Sequence, residues 1–240
     1  MEKLSAGSYD LNKFLYGGYE PDIITTIYGP AGSGKTNFCM LASVSQAKKG
    51  NKVIYIDTEG GFSIERFKQL TDSQEAIKNI LLLQPVNFQE QKQAFSALLK
   101  ELNEKGKIGL IVVDGMTMLY RLELAEARQL KEEEKVSMIN SELAKQMRIL
   151  AEISRKRHIP VLATNQGYYD FLSEEELRQG KKKEFNMVGG DIMKYWSKCI
   201  IELQNERGRR KIILKKHRSL KEKELEFEII NSGIRKRGWI

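Results

Sequence analysis

Long hydrophobic runs are missing from this sequence of 240 residues. No apolar stretch reaches the roughly 18 to 20 residues that a membrane-spanning helix needs. The amino-terminal segment MEKLSAGSYD also lacks the basic and then apolar pattern of a secretory signal. We therefore expect a soluble protein that stays in the cytoplasm and has no membrane partner.

Cysteine is equally scarce. Cys39 and Cys199 form no C-x-x-C pair and no metal-ligand spacing, which excludes a disulfide scaffold and a cysteine zinc site. We expect both to be buried, reduced thiols. Hydrophobic residues make up 41% of the chain and charged residues 30%. This composition and length suit one globular α/β domain over 1–240.

Acidic residues are too few to balance the basic ones, and the formal net charge is +8. The excess is concentrated at residues 205–240, where 12 Lys and Arg stand against 5 Asp and Glu, a net of +7. A basic end of this kind indicates a polyanionic partner such as nucleic acid. A solvated, charged surface is the alternative.

Short apolar runs alternate with helical patterns up to Gln166. Continuous apolar strands that alternate with helices predict a mostly parallel β-sheet covered on both faces. The predicted strands are 22–29, 52–60, 79–85, 109–114 and 159–166, and the predicted helices are 34–49, 88–106 and 137–157.

The character of the sequence changes after Gln166. Residues 167–190 are polar and rich in Gly and Lys, which predicts a long surface loop with a helical turn at 173–179. Glycine-containing turns then separate three further strands, which we expect to be antiparallel. These strands are 198–204, 209–217 and 223–230.

A glycine-rich segment, IYGPAGSGKT at 27–36, fits the pattern G-x-x-x-x-G-K-[ST] between a predicted strand and a predicted helix. The glycines let successive backbone N–H groups face phosphates, and the helix that follows adds a positive field. In this motif Lys35 reaches the β- and γ-phosphates, and the Thr36 hydroxyl ligates Mg²⁺. The predicted nucleotide site is formed by Gly29, Pro30, Ala31, Gly32, Ser33, Gly34, Lys35 and Thr36.

Three polar residues follow predicted strands at the sheet edge where this segment begins. Asp114 ends LIVVD, and we expect it to hold Mg²⁺ through water, with a strand-end cap as the alternative. Glu59 follows VIYIDT and can orient and deprotonate an attacking water, unless it is a helix-entry acid. Gln166 ends VLATNQ and can sense the γ-phosphate, unless it is a simple turn residue.

Aromatic and basic side chains are combined in the predicted loop. Stacking on bases and neutralisation of phosphates would suit single-stranded DNA, whereas a disordered charged lid is the alternative. The cations of KKHR at 215–218 suit either DNA or the phosphates of a neighbouring subunit. The candidate loop residues are Tyr168, Tyr169, Phe171, Arg178, Lys181, Lys182 and Lys183.

Together these segments resemble the RecA-like recombinase superfamily of P-loop ATPases. SAGSYDLNKFLYGG at 5–18 is similar to the family's amino-terminal segment, and YIDTEGGFSIERF at 55–67 to its Asp-Thr-Glu segment. LIVVDGMTMLYR is similar to the family's Walker B strand, and VLATNQ to the sensor strand before DNA-binding loop 2. The tail at 187–234, with GGD, YWS and HRS, resembles the archaeal paralogues of the recombinase RadA.

The resemblance implies specific roles. Glu59 matches the family's catalytic glutamate, Gln166 its γ-phosphate sensor, and Arg66 an arginine that lies against adenine. Segment 167–188 matches the loop that contacts single-stranded DNA. Lys216 and Arg218 lie where relatives place cations that act in trans on a neighbouring subunit.

Two departures bear on activity. We expect no helix-hairpin-helix domain before the ATPase core, and Gly115 stands where strand-exchange recombinases often have Ser beside the Mg²⁺ site. The resemblance therefore implies an accessory protein of homologous recombination and repair that binds ATP, Mg²⁺ and single-stranded or branched DNA and hydrolyses ATP slowly. It would assist a RadA-type recombinase or a junction nuclease, with a homo-oligomer left open. The alternatives are a KaiC-like regulatory ATPase or kinase without a DNA role, and a non-hydrolysing adaptor stabilised by ATP.

Overall fold

The computed structural model describes residues 2–104, 106–169, 179–180 and 185–238. Within these ranges the helices are α1 (Tyr9–Phe14), α2 (Lys35–Ala47), α3 (Ile64–Leu70), α4 (Phe88–Glu101), α5 (Met118–Gln129), α6 (Glu133–Arg157) and α7 (Gly190–Trp196), with a 3-10 turn at Ala76–Asn79. The strands are β1 (Ile24–Gly29), β2 (Lys52–Asp57), β3 (Ile80–Leu83), β4 (Ile108–Asp114), β5 (Val161–Tyr169), β6 (Phe185–Met187), β7 (Ser197–Glu206), β8 (Arg209–His217), β9 (Lys223–Ile230) and β10 (Gly233–Lys236).

The described strands form one sheet in the order β10-β9-β8-β7-β1-β5-β4-β2-β3, with β6 paired to β5. The strands from β7 to β3 run parallel, and β7, β8, β9 and β10 pair antiparallel with one another. The prediction of a mostly parallel sheet with antiparallel carboxyl-terminal strands is confirmed. Because β1, β2, β4 and β5 are parallel, their carboxyl ends lie at the same edge of the sheet.

Both faces of the parallel strands are covered, which explains their continuous apolar sequences. Val113 on one face packs in a cluster with Met147 of α6 and with side chains of α4 and α5. Val112 on the opposite face belongs to a cluster with Phe38 of α2 and with side chains of α1. The phosphate-binding segment therefore leads from a strand that is buried throughout into a helix packed directly on the sheet.

The antiparallel end of the sheet is closed by the amino-terminal segment. The backbone N–H of Lys236 in β10 donates to Oδ2 of Asp10 at 2.7 Å, and the Ser8 hydroxyl donates to the carbonyl of Ile234 at 2.6 Å. These bonds satisfy backbone groups of an edge strand that would otherwise be open to pairing. Residues before β1 thus hold the carboxyl-terminal hairpin in place.

The segment after Gln166 differs from its prediction as one long loop. β5 continues to Tyr169 and pairs antiparallel with β6, so that Gly167 lies opposite Met187. A Cβ added at Gly167 would lie 2.5 Å from Cε1 of Phe185 and 2.9 Å from the Asn186 carbonyl oxygen, so a side chain there would force part of this strand pair to shift. The predicted helical turn at 173–179 lies outside the described residues, except for Gln179.

Several predicted boundaries were wrong. The helix predicted at 88–106 ends at Glu101, where the chain turns through a bond from Asn103 N–H to the Lys100 carbonyl. The helix predicted at 137–157 begins at Glu133, since two glutamates in its first turn favour the helix dipole. The helix predicted to reach Lys49 ends at Ala47.

Among the elements that the structure describes, four helices and two strands were not predicted. Most are short, and α5 shows its amphipathic pattern only through Leu119, Leu124 and Ala127. The unpredicted elements are α1, α3, α5, α7, β6 and β10. The two cysteines are buried and free, as predicted.

Candidate nucleotide site

The phosphate-binding segment turns sharply at the carboxyl end of β1. Gly34 has a φ of 111° immediately before α2, a conformation that favours glycine. A Cβ at Gly34 would lie 2.9 Å from Cδ1 of Ile229, and one at Gly29 would lie 2.5 Å from the Leu203 carbonyl oxygen. The glycines thus also allow the segment to pack closely against the antiparallel strands.

Lys35 is 6% exposed and its side chain folds back over this segment. Its Nζ donates to the carbonyl oxygens of Gly29 and Pro30, both at 3.0 Å. Burial lowers the pKa of this ammonium, and the nearby carboxylate of Glu59 opposes that shift. A phosphate would offer the same ammonium a charged partner in place of two neutral carbonyls.

Asp114 is 1% exposed at the end of β4. Its Oδ2 accepts a 2.8 Å bond from the Tyr55 hydroxyl, and its Oδ1 accepts a 2.5 Å bond from the Thr164 hydroxyl. The Thr36 side chain lies near this carboxylate and also favours its charged form. Burial raises the pKa of Asp114, whereas these three donors lower it. The two predicted Mg²⁺-site residues, Thr36 and Asp114, therefore lie near one another.

Asp57 organises the turn that follows β2. Its two carboxylate oxygens accept the backbone N–H groups of Gly61 and Phe62, at 3.1 and 3.0 Å. The Thr58 hydroxyl donates to the carbonyl of Gly115 at 2.7 Å. These bonds hold the end of β2 beside the end of β4 and thereby position Glu59 at the shared edge.

Glu59 and Gln166 meet at this edge, although they are 107 residues apart in the chain. Nε2 of Gln166 donates to Oε1 of Glu59 at 3.2 Å. Desolvation by the surroundings raises the pKa of Glu59, and the charges of Lys35 and Asp114 act in opposite directions on it. The carboxyl group is still solvent-accessible, as a base that acts on water must be.

Backbone and side-chain bonds connect this edge to the segment that follows β6. The Gln166 carbonyl accepts the N–H of Val188 at 3.1 Å. Asn165 is fully buried, and its Nδ2 donates to the Val188 carbonyl at 2.6 Å. Its Oδ1 accepts a bond from the hydroxyl of Thr117, which begins α5. The ends of β4 and β5 and the residues after β6 thus form one hydrogen-bonded unit.

The residues fit a nucleoside triphosphate with Mg²⁺. The Ser33 hydroxyl is buried and has no hydrogen-bond partner among the described residues, and it lies within the phosphate-binding segment. Within the same residues no cluster of three His, Cys, Asp or Glu side chains could hold a metal by itself. A metal here would therefore depend on Thr36, Asp114, water and phosphate oxygens, which is the usual mode for Mg²⁺.

Arg66 lies on α3 and bridges α2 to the carboxyl-terminal hairpin. Its guanidinium donates to Oδ1 of Asn37 at 2.8 Å and to the carbonyls of Ile230 and Asn231, at 2.8 and 2.9 Å. It also bonds the side chain of Gln69. The prediction that Arg66 lies against adenine stays a prediction.

Lys216 and Arg218 lie beside the amino-terminal ends of the parallel strands, whereas the phosphate-binding segment lies at their carboxyl-terminal ends. His217, between them, pairs with Cys199, which pairs with Thr25 near the start of β1. The six residues of β1 separate the two edges by about 17 Å. These cations therefore lie too far away to reach phosphates bound by their own chain, and their action on another subunit stays a prediction.

The two cations differ in what they contact. Nζ of Lys216 donates to the Lys194 carbonyl at 2.7 Å, at the rim of a groove of about 740 Å³ along β7 and β8. Arg218 forms ion pairs with Glu20 at 2.5 Å and with Asp22 at 2.6 Å. Arg218 is thus neutralised within its own chain, whereas Lys216 has no carboxylate partner among the described residues.

The candidate DNA residues are described only in part. Tyr168 is 51% exposed at the end of β5, and Tyr169 is the last residue of that strand. Tyr168 borders a groove of about 430 Å³ with Tyr120, Arg121 and Arg128 of α5. The remaining candidates, Phe171, Arg178, Lys181, Lys182 and Lys183, lie outside the described residues.

Comparison with known proteins decides the family. The Rad51 family matches residues 1–237 of the chain. This chain belongs to the Rad51 family. Its fold agrees with that assignment: a crystal structure of the RadB recombinase aligns with a TM-score of 0.76 and 32% identity, over 97% of this chain and 99% of that one.

Two relatives indicate which members of the Rad51 family this chain resembles. A protein named DNA repair and recombination protein RadB from Methanococcus maripaludis strain C7 is 39% identical over 227 residues, which cover 93% of this chain and 96% of the relative. A protein of the same name from Methanobrevibacter smithii is 38% identical over 230 residues, covering 93% and 92%. The predicted resemblance to archaeal paralogues of RadA, and the RecA-like fold, are confirmed.

The sequence alone did not identify the residues that hold the side chains of this Rad51-family site in place. Tyr55 and Thr164 bond Asp114 from the two neighbouring strands, and Asp57 shapes the turn before Glu59. One signal was available for Asp57, because it ends β2 as Asp114 ends the adjacent β4.

Among the helices that the structure describes, none has the length and apolar character of a membrane-spanning segment.

Proposed function

We propose that this protein binds Mg·ATP and DNA as an accessory factor of recombination and repair, with slow ATP hydrolysis. The observation that carries the proposal is the position of Gln166. Its side chain bonds Glu59, and its backbone carbonyl bonds Val188, the residue directly after β6. A residue with these two contacts can report a change at the nucleotide to the segment predicted to bind DNA.

The proposed chemistry of the nucleotide site follows from its charges. ATP bound with Mg²⁺ supplies the γ-phosphoryl group, and the metal offsets part of its charge. The Lys35 ammonium would exchange its two carbonyl partners for phosphate oxygens, and the Ser33 hydroxyl would gain a partner. Thr36 and Asp114 would hold the metal, the latter through water. Glu59 would orient a water molecule and accept its proton.

Slow turnover is part of the proposal for two reasons. Oε1 of Glu59 already accepts a bond from Gln166, so the carboxylate has to leave that partner or share it with water. Arg218, one of the two predicted trans-acting cations, is paired with Glu20 and Asp22. In enzymes where a neighbouring subunit or partner supplies such a cation, removing it lowers the rate of turnover by a large factor.

The proposed binding of DNA is based on the groove beside α5. Tyr168, which is 51% exposed, provides aromatic surface there, and the exposed Arg121 and Arg128 provide charge for phosphates. Stacking on aromatic rings with cations nearby suits single strands. Tyr169, Arg178, Lys181, Lys182 and Lys183 are the further candidates for DNA contact. A RadA-type recombinase or a junction nuclease would be the protein partner, and a homo-oligomer would complete the site in trans.

The experiment is ATP hydrolysis with and without single-stranded DNA at one low salt concentration, with Lys35→Ala as the blank. We expect a slow rate that DNA changes by less than three-fold, together with direct binding of DNA to the same preparation. Strong stimulation by DNA would contradict the accessory role and indicate a recombinase-type motor. DNA binding that is negligible, or independent of salt, would favour a KaiC-like ATPase or kinase.

A second candidate is an adaptor that holds ATP as a structural ligand. The ion pairs of Arg218 favour it, because they leave this cation unavailable to a neighbouring nucleotide. Glu59→Gln distinguishes the two functions. If cells that carry this variant keep full repair, hydrolysis is dispensable and the adaptor is correct. If repair fails while ATP binding persists, hydrolysis is required.

A further inference from the structure

Gly115 sits at the point where the ends of three strands meet. Its N–H donates to the Thr164 hydroxyl of β5 at 2.8 Å, and its carbonyl accepts the Thr58 hydroxyl, just after β2, at 2.7 Å. It directly follows Asp114, the last residue of β4. The sequence alone suggested that glycine here removes a hydroxyl from the metal site, whereas the contacts indicate a different consequence.

The space beside Gly115 is already filled by other side chains. A Cβ at this position would lie 2.7 Å from Cγ of Glu59 and 3.1 Å from its Oε1, and would overlap the Thr58 hydroxyl oxygen more closely still. Real Cβ atoms essentially never approach other atoms to less than 3.0 Å. The φ of Gly115 is 93°, which L-residues other than glycine adopt with strain. The Glu59 side chain therefore packs directly on the Gly115 backbone.

We propose that Gly115 is a positioning residue for Glu59. The missing side chain gives Glu59 a place to lie, and from there its carboxylate reaches Gln166 at 3.2 Å. Any side chain at 115 pushes Cγ of Glu59 away and separates the carboxylate from Gln166. This inference rests on the proposed function for its catalytic consequence, but the packing it describes holds without nucleotide.

The first test uses the protein without nucleotide and measures thermal unfolding. Gly115→Ala is made in the wild type, in Glu59→Ala and in Thr58→Ala, so that each partner in the overlap is removed in turn. Gly208→Ala is the matched control, because Gly208 has a φ of 85° and a Cβ there would meet nothing within 4 Å. We expect Gly115→Ala to lower Tm less in Glu59→Ala and in Thr58→Ala than in the wild type, because each background removes one of the two overlapping side chains, and to lower it more in the wild type than Gly208→Ala does.

The outcomes of this test are distinct. Equal losses of Tm in the wild type and in Glu59→Ala would overturn the proposal, since Glu59 would then not occupy the space. Failure of Gly115→Ala to fold in the wild type, with folding restored in Glu59→Ala, would support it. Failure in both backgrounds would overturn it. None of these results depends on whether the protein binds ATP.

The second test asks whether Gly115→Ala slows ATP hydrolysis, through a displaced Glu59, without weakening the binding of nucleotide. We expect the affinity for a non-hydrolysable ATP analogue with Mg²⁺ to stay within three-fold, while single-turnover hydrolysis falls at least ten-fold. In a Glu59→Gln background the same substitution should cause no further loss, because the two changes act on one group. A rate within three-fold of the wild type would overturn the proposal. Absence of analogue binding by the wild type would instead count against the proposed function.

Discussion

The hydroxyl of Tyr55 donates a 2.8 Å hydrogen bond to Oδ2 of Asp114, from the middle of one buried strand to the end of the next. Both residues are 1% exposed or less. Because a buried carboxylate is stable only when its oxygens are bonded, this tyrosine supports the proposed metal site although it faces no solvent. Through this hydrogen bond, strand β2 supports the Asp114 carboxylate at the end of β4.

Tyr55→Phe removes this donor and leaves the shape of the side chain almost unchanged. A hydrogen bond to a charged group contributes about 1.5 to 3 kcal/mol, so we expect the free energy of unfolding to fall by about that amount. The pKa of Asp114, already raised by burial, should rise further, and the affinity for Mg·ATP should fall severalfold. Chemical denaturation and a nucleotide titration measure the two effects.

Tyr120→Phe is the matched control for this substitution. The Tyr120 hydroxyl bonds Oδ1 of Asn140 at 2.7 Å, away from the nucleotide site. Its loss should lower stability without changing the affinity for Mg·ATP. If Tyr55→Phe and Tyr120→Phe have the same effect on that affinity, Tyr55 has no role in the metal site.

Arg66→Lys tests whether this arginine holds the carboxyl-terminal hairpin. A lysine keeps the charge but cannot bridge Asn37 and the carbonyls of Ile230 and Asn231 with one planar group. We expect a loss of about 1 to 3 kcal/mol in the free energy of unfolding, on the scale of two or three neutral-acceptor bonds. Lys68→Ala, on the exposed side of the same helix, is the control.

The same variant addresses the sequence-based prediction for Arg66. An arginine against adenine would make Arg66→Lys weaken ATP binding, and thus reduce the rise in Tm that saturating ATP causes. A purely structural bridge would lower Tm equally with and without ATP. We expect the equal loss, because the guanidinium already has four partners.

The part of the site that the sequence predicts is the part defined by strand ends. The phosphate-binding segment, Glu59, Asp114 and Gln166 each follow a strongly apolar run, and parallel strands bring such ends to one edge. Tyr55 and Thr164 are not predictable in this way, because each sits inside an apolar strand and contacts Asp114 only through sheet order. Two of the bonds of Arg66 join it to residues more than 160 positions away, which no local pattern reveals.

The same distinction explains the errors in the fold. The long strands and α6 have clear periodic patterns over many residues. β6 has three residues and exists because Gly167 lets Phe185 pass close to the backbone of β5. The predicted strand 52–60 ends early because the Asp57 carboxylate captures two N–H groups of the next turn. The first is a tertiary contact and the second is a local bond from a side chain to the backbone, and neither shows in the pattern of apolar residues.

His217→Asn tests a pH effect at the amino-terminal edge of the sheet. The His217 side chain is 3% exposed, and burial lowers its pKa although Glu20 lies 3.7 Å away. Lys3, Arg218 and Lys223 add to the lowering. The folded protein therefore binds fewer protons than the unfolded chain below the ordinary pKa of about 6.5.

It follows that His217 makes the free energy of unfolding decrease as pH falls through about 6.5 toward the folded pKa. Asparagine does not titrate, and its Oδ1 can replace Nδ1 of His217 as the acceptor for Ser219 and Leu220 N–H. We expect the wild type to lose more stability than His217→Asn between pH 7.5 and pH 5.5, measured by denaturant unfolding. Parallel losses would show that His217 titrates normally in the folded protein.

Arg121→Ala and Arg128→Ala test whether the groove beside α5 contacts DNA. Both arginines are exposed on α5 beside Tyr168, so their removal should leave thermal stability unchanged. Each phosphate contact to a single strand contributes about −0.7 to the slope of log K against log salt concentration. We therefore expect each variant to bind single-stranded DNA more weakly and to make that slope less negative by about 0.7.

Lys145→Ala on α6 is the control, since Lys145 is exposed and lies within 3.6 Å of Glu142. It removes the same unit of charge from the protein without touching the groove. If all three variants shift affinity and slope equally, DNA responds to net charge alone. If only Arg121→Ala and Arg128→Ala change the slope, their guanidinium groups contact phosphates. The double variant should then change the slope by about 1.4, because contacts at separate phosphates release counterions independently.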